Sequence, residues 1–88
     1  MNPLPKPKTH TGTIVSLIGP VIDVRFPDRK LPALMTALSI PADDEIITVE
    51  VLEHLDERTI RGVAMESAEG LQRDMIVYDT GSQIQVPV

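Results

Sequence analysis

The sequence predicts an all-β protein, a six-stranded closed barrel with Greek-key-like connections and short turns. Three observations predict this fold. The β-branched runs are short, apolar and polar residues alternate within them, and clusters of Gly, Pro or Asp separate them at intervals too short for long helices. Closure is favoured over the alternative, a two-sheet sandwich, because a closed barrel leaves no edge strand free to pair with other chains.

The start of the chain differs from the rest. Three prolines and two lysines fall within the first eight residues, and proline fixes φ and removes an amide donor. We therefore expect a flexible Pro/Lys-rich arm over residues 1–11 and the barrel over residues 12–88. A proline-rich ligand is disfavoured because the spacing lacks Pro-x-x-Pro.

The first half of the barrel region predicts strands at Thr13–Ile18 and Val21–Phe26, separated by Gly and Pro. The next apolar residues, from Leu31 to Leu38, have the spacing of a helix, but the stretch is short and contains a proline. An irregular turn is therefore predicted there. It leads into a brief strand over Ala37–Ile40, which Pro41 closes.

The second half contains the clearest alternation. In Ile46–Leu55, one face carries Ile47, Val49 and Val51, which we predict to point inward. A further strand, Arg58–Met65, contains the small residues Gly62 and Ala64, which suit either a crowded barrel wall or a close approach of two backbones. We expect one helical turn at Ser67–Gly70 and two last strands at Met75–Tyr78 and Ile84–Val88, with a turn over Asp79–Gly81 between them.

Two strands are apolar on both faces. The outer face of an isolated barrel contacts water and normally carries polar side chains. Strands that are apolar on both faces therefore indicate that another domain or subunit covers part of the outside. Cover by the chain's own Leu31–Leu38 segment or arm is the alternative. The residues concerned are Ile14, Val15, Leu17 and Ile18 in the first strand, and Ile60, Val63, Ala64 and Met65 in the later one.

Composition excludes several functions. The formal charge is −5 and the only aromatic rings of Phe, Tyr or Trp are Phe26 and Tyr78, which argues against nucleic-acid binding.

No cysteine is present, as is common in a reducing compartment. No apolar run approaches the roughly 20 residues of a membrane span, and no signal peptide is evident. We expect a soluble, cytoplasmic protein.

The sequence contains no recognisable motif for catalysis or cofactor binding. No glycine precedes a lysine as in a phosphate-binding loop, and no serine lies in a nucleophile elbow. His54 has four acidic neighbours, yet a solvated turn is favoured over a metal site. The acidic turn Asp43–Glu45 lacks the pattern of a calcium loop. The neighbours of His54 are Glu50, Glu53, Asp56 and Glu57.

No catalytic, cofactor-binding or metal-ligating residue is therefore expected in this chain. The arginines are scattered among acidic residues, which favours pairing with carboxylates on the surface or between subunits over a phosphate track. The arginines concerned are Arg25, Arg58, Arg61 and Arg73.

Several stretches together resemble one family. They are Ile18–Phe26, Glu50–Leu55 followed by Arg61–Met65, and Glu69–Arg73 running to Asp79–Gly81 and Ile84–Val88. Their order and spacing are similar to the N-terminal barrel domain of the catalytic beta subunit of rotary F-type ATP synthases. The alpha subunit has a similar barrel, but Ala64-Met65 and Val86-Pro87-Val88 look like beta. The sequence departs from the common pattern at Asp56, at Asp74 and at Ser82-Gln83, all of which we expect in turns.

The resemblance implies an assembly domain. In such enzymes six barrels, alternating between alpha and beta subunits, form a ring that stays fixed while the lower domains open and close around a rotating shaft. The expected partners are thus neighbouring alpha and beta subunits, bound through the barrel sides, with no nucleic acid and no membrane insertion. The alternatives are a small free-standing β-barrel binding module and an alpha-subunit-type barrel.

The resemblance also implies properties of the longer subunit. Its nucleotide-binding domain, which is expected to bind Mg-ATP or ADP, would follow Val88, so this chain would be one domain of a catalytic subunit without being an enzyme itself. The complex would couple ATP synthesis or hydrolysis to ion transport. It would lie on the cytoplasmic side of a bacterial inner membrane, as a peripheral assembly.

Overall fold

The computed structural model describes residues 10–83, which form a closed barrel of six antiparallel strands. The predicted fold class is confirmed. Within the described residues no helix is long and apolar enough to cross a membrane. The strands are β1 (His10–Ile18), β2 (Val21–Arg25), β3 (Thr36–Ala42), β4 (Glu45–His54), β5 (Thr59–Ala64) and β6 (Ile76–Gln83).

The order of strands around the barrel is β1-β2-β5-β4-β3-β6. The first strand closes the sheet because it pairs with β2 along one edge and with β6 along the other. Its first four residues, His10–Thr13, lie opposite residues 76–79 of β6. Tight turns join β1 to β2, β3 to β4 and β4 to β5, whereas longer connections lead into β3 and β6.

Alternation along the strands builds the core. On β4, Ile47, Val49 and Val51 are buried while Thr48 and Glu50 lie on the outer face, so the predicted inward face is confirmed. Fully buried side chains come from every strand and form one hydrophobic core. The largest of them are Phe26, Ile14, Ile22, Leu38, Ile40, Ile60, Val24, Val49, Val51 and Val77.

Gly62 allows β5 to approach β4 closely. A Cβ atom at this position would lie 2.6 Å from the carbonyl oxygen of Glu50 and 2.6 Å from Cγ1 of Val49. These separations are far below van der Waals contact, so a larger residue would push the two strands apart. The close backbone approach predicted for this strand is confirmed.

A β-bulge in β1 explains part of the two-faced apolar pattern of this strand. The register with β2 shifts between Ile14 and Ser16, and an extra residue in one strand reverses the faces of the residues that follow. Leu17 therefore packs partly against the core, whereas Ile18 is 73% exposed. Part of the apolar character of this strand thus reflects the bulge, and Ile18 alone is strongly exposed.

The segment before β3 is irregular, as predicted. Met35 has a φ of 70°, and its N–H donates to the carbonyl of Val51 at 2.8 Å. The strand itself is longer than predicted, since it runs through Pro41 to Ala42. Proline is tolerated there because β6 pairs with β3 only as far as Ser39, so no amide is needed on that side at Pro41.

Neither Ser67–Gly70 nor Asp79–Gly81 forms the element predicted for it. Ser67–Gly70 is not a helical turn, because the Ser67 hydroxyl accepts the N–H of Glu69 at 3.1 Å and closes a local turn instead. Gly70 does have the positive φ expected of it, 92°. The predicted turn over Asp79–Gly81 is also wrong, because these residues continue β6.

Two further predictions fall largely or wholly outside the described residues. The predicted flexible arm covers residues 1–11, of which residues 1–9 lie outside, while His10 and Thr11 begin β1. The predicted strand over Ile84–Val88 lies outside as well.

We predict that Val49→Asp unfolds the barrel. Val49 has no solvent exposure, and an unpaired carboxylate at such a position should cost more than about 4 kcal/mol. Thr48→Asp is the matched control, since Thr48 lies on the outer face of the same strand, and it should change stability by about 1 kcal/mol or less. Thermal and urea unfolding measure both variants. A soluble Val49→Asp protein with an unchanged melting curve would refute the inward assignment.

Candidate assembly surface

Five apolar residues lie together on the outer wall near one end of the barrel. Ile18 is opposite Val21, and Val21 is opposite Val63, so these three lie side by side across β1, β2 and β5. Met65 follows Val63 on the same face, and its N–H donates to the carbonyl of Thr48 at 2.9 Å. This bond places Met65 beside Thr48 on the outer face of β4, where Ile46 is the next outward residue on one side of Thr48 and Glu50, opposite Val63, is the next on the other. We call Ile18, Val21, Ile46, Val63 and Met65 the apolar wall patch.

The apolar wall patch is open to solvent. Ile18 is 73% exposed, Ile46 is 63% exposed and Met65 is 46% exposed, while Val21 and Val63 are half-buried. Antiparallel strands with one face in water normally carry polar residues there. Neighbouring apolar side chains on such a face are typical of a protein–protein contact.

A second apolar area lies on β6, on the other side of β1. Ile76 and Tyr78 are both exposed, and they lie opposite Thr13 and Thr11 of β1. We call Ile76 and Tyr78 the β6 face. The outer wall thus presents apolar side chains on two different parts of its circumference.

A half-exposed ion pair on the outer wall separates the apolar wall patch from the opposite end of the barrel. Arg61 on β5 donates from Nε to Oδ1 of Asp23 at 2.8 Å and from Nη2 to Oδ2 at 3.1 Å. Hydrogen bonding and the charge of this carboxylate raise the pKa of Arg61 above its ordinary value. Asp23 is almost fully buried beneath the guanidinium, so the pair joins β2 to β5 with the two-pronged geometry that favours arginine.

The prediction that the arginines pair with carboxylates is confirmed for Arg61. The other three arginines in that prediction, Arg25, Arg58 and Arg73, form no salt bridge with any residue between 10 and 83. For them, pairing with a carboxylate between subunits stays a prediction.

The solvated turn predicted around His54 holds only for Asp56 and Glu57, because Glu50, Glu53 and His54 belong to β4. His54 ends β4, and its Nε2 donates to the carbonyl of Pro32 at 2.7 Å, so this nitrogen is engaged with the backbone. Asp43 takes a left-handed φ of 54° in the turn between β3 and β4. Across residues 10–83, no three His, Asp or Glu side chains are arranged to hold a metal ion.

A family model for the ATP synthase alpha/beta family, β-barrel domain, matches residues 14–81. The match includes the five residues of the apolar wall patch and almost all of the described barrel. This chain belongs to the ATP synthase alpha/beta family. The resemblance seen in the sequence is thereby confirmed at the level of the family, whose barrel is a non-catalytic part of the alpha and beta subunits.

The positions at which this member of the ATP synthase alpha/beta family departs from the common pattern can now be placed. Asp56 lies in the turn between β4 and β5, where its Oδ1 accepts the N–H of Arg58 at 2.8 Å. Asp74 also lies in a turn and has a φ of 74°. Ser82 and Gln83, however, belong to β6, so the expectation of a turn there is wrong.

Two features of the outer wall escaped sequence reasoning. The first is Ile46. Successive side chains of a strand point to opposite faces, so the adjacent pair Ile46-Ile47 places one apolar side chain on the outside. The ion pair of Asp23 and Arg61 forms because β2 lies next to β5. The two residues are 38 positions apart, and no local sequence pattern predicts that their strands are neighbours.

Two aspartates in turns, Asp28 and Asp56, accept hydrogen bonds from nearby backbone N–H groups. The backbone N–H of Lys30 and the side chain of His10 lower the pKa of Asp28 below its ordinary value. The pKa of Asp56 is lowered chiefly by the N–H of Arg58, with a bond to Thr59 and the charge of Arg25 adding to it. His10 also lies 3.4 Å from Asp79 on β6 and stacks on Phe26.

We predict that Asp56→Asn lowers the melting temperature at neutral pH and that the deficit shrinks in acid. A carboxylate whose pKa is lower in the folded state stabilises the fold above its unfolded pKa, and that contribution is lost as the pH falls through the folded value. Asp44→Asn, in the exposed turn between β3 and β4, is the control. Melting curves between neutral pH and pH of about 2 test this. A deficit that is the same at every pH would contradict it.

Proposed function

We propose that this chain is the N-terminal assembly domain of an F-type ATP synthase beta subunit. In this role it holds the six-subunit catalytic head together as a ring while ATP synthesis or hydrolysis is coupled to ion transport. The observation that carries the proposal is the apolar wall patch, three of whose side chains are more than 40% exposed on a barrel of the ATP synthase alpha/beta family.

Ring assembly requires two different contact surfaces on each barrel. In a closed ring every subunit touches one neighbour on each side, so the contacts join unlike surfaces. The apolar wall patch spans β1, β2, β5 and β4, whereas the β6 face lies beyond β1 in the other direction. This arrangement supports neighbours on two sides, which we propose are alpha and beta subunits.

The assignment to beta, and the properties of the longer subunit, rest on the sequence. Ala64-Met65 and Val86-Pro87-Val88 resemble beta more than alpha. We infer that the rest of the subunit binds Mg-ATP or ADP in a separate nucleotide-binding domain. The complex would then be peripheral to the inner membrane of a bacterium, on its cytoplasmic side.

A pair of chimeras tests the function. The 88-residue chain replaces the N-terminal barrel of a well-behaved F-type beta subunit in one chimera and that of the alpha subunit in the other. Each is co-expressed with the unmodified partner, and analytical ultracentrifugation measures the six-subunit head. We expect assembly in the beta chimera and little in the alpha chimera. Assembly in the alpha chimera alone would assign the chain to alpha, and failure of both chimeras would overturn the assembly function.

We predict that Ile18→Lys combined with Ile46→Lys prevents assembly of the beta chimera without unfolding the barrel. Both side chains are largely exposed, so their replacement should change the stability of the chain by no more than about 1 kcal/mol. A buried lysine at an interface core should instead weaken association by at least about tenfold. Lys substitution at Leu34, which is exposed but lies outside the apolar wall patch, is the matched control. Unchanged assembly of the double variant would remove the patch from the interface.

A further inference from the structure

A groove of about 350 Å³ opens on the outer wall beside β1, away from the apolar wall patch. Thr11 and Thr13 of β1 form one part of its lining, with Ile76 of β6 next to them. Arg25 at the end of β2 and Arg58 in the turn between β4 and β5 bring two guanidinium groups to the same groove. We call it the arginine groove.

Strand register explains why these groups meet. Ile76 lies opposite Thr13, Thr13 lies opposite Arg25, and Arg25 lies opposite Thr59. Residues opposite one another in antiparallel strands point to the same face, so the row crosses the outer wall from β6 to β5. Arg58 precedes Thr59, and its carbonyl accepts the N–H of Phe26 at 2.7 Å. That bond fixes the turn against the end of β2.

Both arginines are exposed, and the charge of Arg25 also acts on the nearby Asp56 carboxylate. In the described part of the chain, Arg29 pairs with Glu57 at 3.1 Å and Arg61 pairs with Asp23, whereas Arg25 and Arg58 form no salt bridge. The acidic residues that share an adjoining pocket with them are Asp56 and Glu57. Asp56 accepts the N–H of Arg58 and Glu57 faces Arg29, so each already has a partner.

The chemistry of the lining favours a carboxylate on a polypeptide. Two guanidinium groups and two threonine hydroxyls supply donors for a planar carboxylate, while Ile76 and Pro27 add apolar surface beside them. A phosphate dianion fits less well because Asp56 and Glu57 lie close by.

We propose that the arginine groove binds an acidic side chain carried on an extended segment of a neighbouring protein chain. The proposal deepens the assembly function and rests on it for the identity of the neighbour. The carboxylate bridges Arg25 and Arg58, and the aliphatic residues that flank it in the segment cover Pro27 and Ile76.

Peptide titration of the isotope-labelled 88-residue chain tests the groove. The probe is the blocked peptide acetyl-Ser-Leu-Glu-Val-Ser-amide, followed by amide resonances in NMR spectra. Its matched control carries Gln in place of Glu, and inorganic phosphate is titrated separately. We expect saturable shifts at Thr11, Thr13 and Arg25 with the Glu peptide, and at least about tenfold weaker binding of the Gln peptide.

Variants locate the binding site. Arg25→Gln combined with Arg58→Gln should weaken binding of the Glu peptide by at least about tenfold, whereas Arg73→Gln, at an exposed arginine outside the groove, should leave it unchanged. The spectra report folding of each variant directly. If the double variant does not fold, the comparison of Glu and Gln peptides on the unmodified chain still decides the question.

Three results would overturn the proposal: no saturable binding of the Glu peptide, equal binding of the two peptides, or displacement of the peptide by phosphate at equal concentration. The beta chimera separates this failure from failure of the assembly function. If the chimera assembles equally well with and without Arg25→Gln and Arg58→Gln, the groove is not an assembly contact and the proposal fails while the function stands. If the peptide binds but no chimera assembles, the carboxylate site stands and the function fails.

Discussion

Closure of the sheet through β1 is the constraint on which the rest of this structure depends. Because β1 pairs with both β2 and β6, every strand has a neighbour on each side and the inner face is shut off from water. Inward side chains such as Ile14 and Val77 then have no exposure at all. Side chains that can meet another molecule therefore lie on the outer wall or on the turns at the ends of the barrel, and function must be sought there.

The strongly alternating strands could be predicted from the sequence because local pattern and global packing agree in them. Ile47, Val49 and Val51 follow a period of two, and nothing in the barrel opposes it. The prediction failed where local and tertiary preferences conflict. Asp79-Thr80-Gly81 has the composition of a turn, yet pairing of Asp79 with β1 and β3 keeps it in β6. Gly81 takes a positive φ and the Thr80 hydroxyl donates to the carbonyl of Ala37, so the strand bends without ending.

The outer wall was less predictable than the core because its contacts depend on strand order. The sequence suggested that arginines pair with carboxylates, but it could not give the partners. Asp23 meets Arg61 only because β2 lies beside β5, and Arg25, two residues further along β2, is left without a salt bridge among residues 10–83. The bulge in β1 had a similar effect, since it turned Leu17 toward the core and left Ile18 exposed.

Affinity and specificity are therefore carried by different parts of the wall in the proposed assembly. The Asp23–Arg61 pair is satisfied within the chain, so it has little to gain from a partner and serves to hold β2 against β5. The apolar wall patch would supply the free energy of association by leaving water. Arg25 and Arg58, which form no salt bridge within the described barrel, would select the neighbour that brings a carboxylate. Because both regions are fixed on a closed sheet, little conformational entropy is lost when they are covered. A rigid outer wall of this kind would suit the proposed assembly domain, which stays fixed while other domains move.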